Sequence, residues 1–118
     1  MESPAVSVIV PAYNATSTLG AQLDGFCRQD ITEPWELILV DNGSDDGTGE
    51  LARTFEDRLP LRVVRHEPRG INEARNRGVS EARTDALIFA DADDIVGPGY
   101  VAAMAGAIEE NTIVGGWV

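Results

Sequence analysis

Short apolar runs recur along this chain, separated by stretches with helical spacing, and that alternation limits its fold more than any other feature. The runs Ala5–Pro11, Trp35–Val40, Leu61–Arg65 and Asp85–Ala90 are predicted as strands, and Ile113–Val118 as the start of a fifth. Between them the pattern changes to helix. A first helix capped by Thr16 or Ser17 runs to about Gln29, with Leu19, Leu23 and Phe26 on one face. A second spans Thr48 to Asp57 and carries Leu51 and Phe55. A third spans Ile71 to Ala82, with Ala74, Gly78 and Val79 toward the core. A fourth follows Pro98 and carries Tyr100, Val101, Met104 and Ile108 to about Glu109. Strands alternating with helices imply parallel βαβ units, so the expected fold is α/β: a mostly parallel sheet of about five strands flanked by helices. With 118 residues and no linker or repeat, one domain covering 1–118 is expected. The final run ends like a strand cut short, so a C-terminally truncated domain is expected, with an exposed sheet edge that favours self-association.

Each strand of a parallel sheet ends at the same edge, which is where open α/β sheets bind ligands. The run Ala86-Leu87-Ile88-Phe89-Ala90 ends there in Asp91-Ala92-Asp93-Asp94. Three carboxylates so close repel one another unless a cation joins them, and oxygen-ligated divalent ions suit such a site. The same edge receives Ala12-Tyr13-Asn14 after the first strand and Asp41 with the turn-forming Asn42-Gly43-Ser44-Asp45-Asp46-Gly47 after the second. An aromatic beside an amide can stack on and hydrogen-bond a base, and a strand-end carboxylate can accept from a base or ribose. Together these loops describe a nucleotide–metal site.

Composition removes several alternatives. Nine basic residues against 20 acidic ones give a net charge of −11, which argues against nucleic acid as a partner. All nine are arginine, so neither a Schiff-base lysine nor a Walker phosphate loop is available. Phosphate contacts from basic side chains must come from Arg. The single Cys27 permits no disulfide within the chain, and a reducing, cytoplasmic setting is expected. The 42–53 loop is not an EF-hand, because its twelfth position is Arg53 rather than Glu.

Four blocks in order make the chain resemble the N-terminal, donor-binding half of a family-2 glycosyltransferase of the GT-A fold. They are Val6-Ser7-Val8-Ile9-Val10-Pro11-Ala12-Tyr13-Asn14, Glu36 to Thr48, Arg69 to Gly78, and Ile88-Phe89-Ala90-Asp91-Ala92-Asp93-Asp94. The resemblance implies a Rossmann-like nucleotide-sugar site in which Pro11, Ala12, Tyr13 and Asn14 border the base and Asp41 hydrogen-bonds it, usually as uracil. It sets Arg69 near the donor nucleotide, with Arg75 and Asn76 in the same block. Asp91 and Asp93 match the Asp-x-Asp motif: Asp91 toward ribose or metal, Asp93 on Mn²⁺ or Mg²⁺ bridging the diphosphate, with Asp94 in support. The implied reaction moves a sugar from a nucleoside-diphosphate sugar, UDP-linked by family habit, to an acceptor hydroxyl. The general base of such enzymes is expected beyond Val118, so no catalytic base is assigned within the chain, which alone is expected to be inactive. The resemblance also implies a parent enzyme that, as in many members of such a family, is associated with a membrane.

Two other classes compete. Asp91-Ala92-Asp93-Asp94-Ile95 resembles the nucleophile motif of haloacid-dehalogenase-like phosphotransfer enzymes, although Ile95 replaces its Thr or Val, and the motif falls on the fourth strand with no later lysine. A receiver-like signalling module fits the length and acidity and fails on the same missing lysine. A non-catalytic nucleotide-binding module is the third alternative.

Overall fold

A computed structural model of the protein describes residues 3–110. The order is β1 (Val6–Ala12), α1 (Leu19–Cys27), β2 (Trp35–Asp41), α2 (Thr48–Arg53), β3 (Leu61–Arg65), α3 (Ile71–Glu81), β4 (Leu87–Phe89) and α4 (Tyr100–Glu110). The four strands form one parallel sheet in the order β3-β2-β1-β4. The expected fifth strand, Ile113–Val118, lies outside the described residues.

Parallel strands covered on both faces are apolar nearly throughout, and β1 is buried at all seven positions. The pleat sends alternate residues to opposite layers. Val6, Val8, Val10 and Ala12 meet Leu19, Leu23, Phe26, Ala52 and Val101 in the larger core, which takes in α1, α2 and α4. Ile9, Ile38 and Val40 meet Ala74 in a smaller core under α3. Gly78 lets α3 lie directly on the sheet, because a Cβ there would overlap the Ile9 side chain.

Several boundaries differ from the sequence expectation for local reasons. β1 runs on through Ala12, which pairs with Asp41 in register. α1 begins at Leu19, not at a Thr16 or Ser17 cap, since the Thr16 hydroxyl is taken by Asp46. α1 also stops at Cys27, short of Gln29, and the Gln29 side chain bonds back to the Gly25 and Gly97 carbonyls. α2 closes after six residues, and the chain continues to Arg58 in turns that bring Phe55 and Leu59 back to the core. β4 keeps three residues, not six, and has one described neighbour, β1. Val79 faces solvent, 41% exposed, because Ala74 and Gly78 already fill the contact between α3 and the sheet.

The connections set the position of the site. α1 carries the chain from β1 to β2 across one face, whereas α3 carries it from β3 to β4 across the other. The winding therefore reverses between β1 and β4. In open α/β sheets the crevice outside the carboxyl ends at such a switch point is the ligand position. Tyr13 follows β1 and Asp91 follows β4, one on each side of it.

At the opposite edge sits a buried polar group. Glu36 Oε2 accepts from the Ser7 hydroxyl at 2.6 Å and from the Arg83 N–H at 2.7 Å. Its other oxygen lies 3.3 Å from Arg83 Nε and 3.7 Å from Arg62 Nη2.

Candidate functional site

The loops after β1 and β2 are laced together by short side chains. The Asn14 N–H donates to Ser44 Oγ at 2.9 Å, and Asn14 Oδ1 accepts the Asp45 N–H at 3.0 Å. Asn14 adopts φ +46°, a left-handed conformation that Asn tolerates better than most residues. The Ala15 N–H donates to Thr48 Oγ1 at 2.9 Å, and the Thr16 hydroxyl to Asp46 Oδ2 at 3.0 Å. Asp46 also accepts from Thr48, and that hydroxyl contact is the main cause of a carboxyl pKa held below its ordinary value of 3.8.

Asp41 ends β2 with its side chain only 3% exposed. Its Oδ1 accepts the Ser44 N–H at 3.0 Å, and its Oδ2 accepts from Arg65 Nη1 at 3.0 Å. Arg65 is the register partner of Asp41 at the end of β3. The same nitrogen donates to the Ser44 carbonyl at 2.8 Å, and Nη2 reaches Glu67 at 3.3 Å. The Glu67 hydrogen bond, followed by that to Asp41, raises the Arg65 pKa above its ordinary value. Gly49 lies so close that a Cβ there would stand 2.7 Å from Asp41 Oδ2.

Arg69 reaches across from the β3–α3 connection and lays its guanidinium 4.4 Å from the centre of the Tyr13 ring. Stacking of this kind is worth about 0.5–1 kcal/mol at an exposed position and holds the ring in one orientation. Asn42 secures the same connection, its Oδ1 accepting the Gly70 N–H at 2.9 Å and its own N–H reaching the Ala12 carbonyl at 2.8 Å. Gly43, at φ +75°, passes close under Arg69.

After β4 the carboxylates of Asp91, Asp93 and Asp94 offer oxygens within 4.8 Å of one another. Asp91 and Asp93 are exposed, whereas Asp94 is half-buried. Asp94 Oδ2 accepts the Asp91 N–H at 3.0 Å, closing the turn that bunches the three. Helix α1 fastens this loop: the buried Gln22 side chain donates to the Asp91 carbonyl and the Thr18 hydroxyl to the Ala92 carbonyl at 3.2 Å. Tyr100 packs nearby, and burial, then the Asp94 and Asp91 charges, push its phenol pKa above 10.0.

Of the residues singled out in the sequence, Tyr13, Asp41, Arg69, Asp91 and Asp93 therefore come to one sheet edge. Pro11 and Ala12 are buried within β1, and the Asn14 amide oxygen is engaged in tying two loops. Arg75 is half-buried on α3. Sequence reasoning passed over Arg65, Ser44, Thr48 and Gln22. For Arg65 there was a signal: a charged residue closing a strand at the same edge as Asp41.

A four-stranded parallel sheet whose winding reverses at a switch point defines the class, an open α/β domain. Residues 7–118 match the model of glycosyl transferase family 2, and the chain belongs to that family. It is 41% identical over 113 residues to the uncharacterized glycosyltransferase YfnE of Bacillus subtilis strain 168, covering 93% of this chain and 29% of that protein. It is 35% identical over 119 residues to the validoxylamine A glucosyltransferase of Streptomyces hygroscopicus subsp. jinggangensis strain 5008, covering 95% and 28%. Among solved structures, S. aureus TarS 1–349 in complex with UDP superposes with a TM-score of 0.80 at 28% identity, covering 91% of this chain and 32% of that one. The mannosyltransferase PcManGT of Pyrobaculum calidifontis, in complex with GDP-Man and Mn²⁺, does so with a TM-score of 0.75 at 29% identity, again covering 91% and 32%. The chain thus spans under a third of the length of these relatives. Family membership also sets aside the phosphotransfer and receiver readings of Asp91-Ala92-Asp93-Asp94.

Proposed function

We propose that this chain is a single domain forming the donor-binding part of a glycosyltransferase that moves a sugar from a nucleoside-diphosphate sugar, UDP-linked in the first instance, to an acceptor hydroxyl. The observation that carries the reading is the convergence on one sheet edge of Tyr13 under Arg69, the buried Asp41, and the cluster of Asp91, Asp93 and Asp94. The bound UDP and GDP-Man of the TarS and PcManGT structures support it.

In this reading Tyr13 and Arg69 border the base, Asp41 accepts a hydrogen bond from it, and Asp91 and Asp93 hold Mn²⁺ or Mg²⁺. The carboxylates fit such an ion, being hard oxygen donors gathered within 4.8 Å, two of them exposed to receive it. A bound divalent cation would offset the charge that develops on the departing diphosphate. Gln22 and Thr18 hold the loop in place for that ion, so their part is positioning. The base that deprotonates the acceptor belongs, by family expectation, to residues beyond Val118, and the chain alone binds donor without turnover. A cytoplasmic, reducing setting is part of the same proposal, supported by the lone thiol of Cys27.

The test is calorimetric titration of UDP with and without Mn²⁺, on the wild type and Asp93→Ala. Metal-dependent binding that disappears in the variant is expected. Binding indifferent to both metal and Asp93 would refute the metal assignment. Among the described residues β4 pairs with β1 alone, and we propose its other edge for self-association. Light scattering that finds a single monomeric species removes that part.

A further inference from the structure

The Asp41 carboxylate is almost entirely withdrawn from water, and among the described residues its ion pair is with Arg65. Arg65 reaches it from the strand alongside, with a single nitrogen gripping both Asp41 Oδ2 and the Ser44 carbonyl. Ser44 in turn donates its N–H to Asp41 Oδ1. Carboxylate, loop and guanidinium therefore form a closed ring of three hydrogen bonds. Each carboxylate oxygen retains one further lone pair for a ligand. Both of its oxygens already accept, from Arg65 and from the Ser44 N–H, and they present only acceptor lone pairs to a ligand.

We propose that Arg65 is a positioning residue that fixes Asp41 as an acceptor-only edge and thereby selects the base of the nucleotide. The inference rests on the nucleotide reading proposed above. Bases with a ring N–H at the recognised edge (uracil, thymine and guanine) can donate to Asp41. Cytosine and adenine present a bare ring nitrogen there, and its lone pair faces the carboxylate. An unmet buried acceptor of this kind discriminates strongly between ligands of equal size. Without Arg65 the carboxylate loses its counter-charge and the hydrogen bond that fixes its orientation, and the discrimination fades. Lysine would keep the charge but not the planar fork.

UDP and CDP share ribose and diphosphate and differ only at the base, so their affinity ratio isolates this effect from metal binding. The experiment is calorimetric titration of the 118-residue chain with UDP and with CDP, both with Mn²⁺, for wild type, Arg65→Met and Arg65→Lys, after thermal melting has established that each folds. Wild type is expected to prefer UDP by about tenfold or more, the size of one charge-assisted hydrogen bond. Arg65→Met is expected to lose most of that preference by weakening UDP, and Arg65→Lys to fall between. A wild type that binds UDP and CDP equally, or either folded variant keeping the wild-type ratio, overturns the inference while the nucleotide reading stands. A folded wild type that binds neither overturns both.

Discussion

Replacing Glu36 by alanine tests how much of the domain's stability depends on the edge of the sheet away from the site. The side chain is 5% exposed and receives two hydrogen bonds, from Ser7 at 2.6 Å and the Arg83 N–H at 2.7 Å, besides ion pairs with Arg83 and Arg62. Hydrogen bonds to a charged group contribute about 1.5–3 kcal/mol each, so two set an upper range of roughly 3–6 kcal/mol. Three facts lower it. Ser7 keeps Thr84 as a partner at 3.0 Å, Arg62 keeps Glu81 at 3.2 Å, and the Arg62 and Arg83 side chains are 36% and 53% exposed, so water takes up part of the lost interaction. A loss of about 2–4 kcal/mol remains. At this length each kcal/mol lowers Tm by about 4 °C, so a fall of about 8–16 °C is expected in a calorimetric melt, with urea denaturation giving the free energy directly. Glu36→Gln, which keeps shape and one acceptor, is expected to lose less. Because Glu36 stands at the amino edge of the strands, the folded variant should bind UDP as wild type does. A loss under about 0.5 kcal/mol, the level of an ordinary surface substitution, would refute the reasoning.

Gly49→Ala should lower both stability and UDP affinity. Alanine gains about 1 kcal/mol in helix propensity on α2, but its Cβ would sit 2.7 Å from Asp41 Oδ2, and overpacking of that kind costs about 1–3 kcal/mol. A variant more stable than wild type with unaltered UDP binding would sink this account. Asp46 gives an acid limb to the stability curve. Its folded pKa lies below 3.8, so its contribution is complete above that value and disappears as pH falls through the folded pKa. Urea midpoints measured downward from neutral pH should show a fall below 3.8 that Asp46→Asn flattens; identical curves for the two proteins would contradict it.

β1 and β2 were legible in the sequence because they are buried almost throughout and so appear as apolar runs, whereas the half-buried β3 is shorter and carries Arg62 and Arg65. The helices were legible as periodic segments but not in their ends. α2 stops early because Phe55 and Leu59 are drawn back to the core by turns, a tertiary demand that spacing alone does not express. Val79 fitted the helical period, yet small Ala74 and Gly78 bring α3 so close to Ile9 and Val40 that no further side chain is needed. The acidic cluster stood out because three carboxylates fall within four positions, Asp91 to Asp94. The Tyr13–Arg69 stack and the Asp41–Arg65 pair join residues far apart in the chain: strand register brings Arg65 beside Asp41, and the β3–α3 connection brings Arg69 over Tyr13.

The two sides of the switch point are anchored unequally. The loops that carry Tyr13 and Asp41 issue from strands joined by seven register pairs, whereas the acidic turn hangs from β4, joined to β1 by three. Local opening follows the weakest backbone ladder, so the amides of 87–89 should exchange with deuterium well before those of β1 and β2. A cation bridging Asp91 and Asp93 would lend that side the restraint its short strand does not provide. Were a nucleotide and cation to bind on this edge as proposed, protection would spread from the firm half of the sheet into the half that, among the described residues, is held by three register pairs.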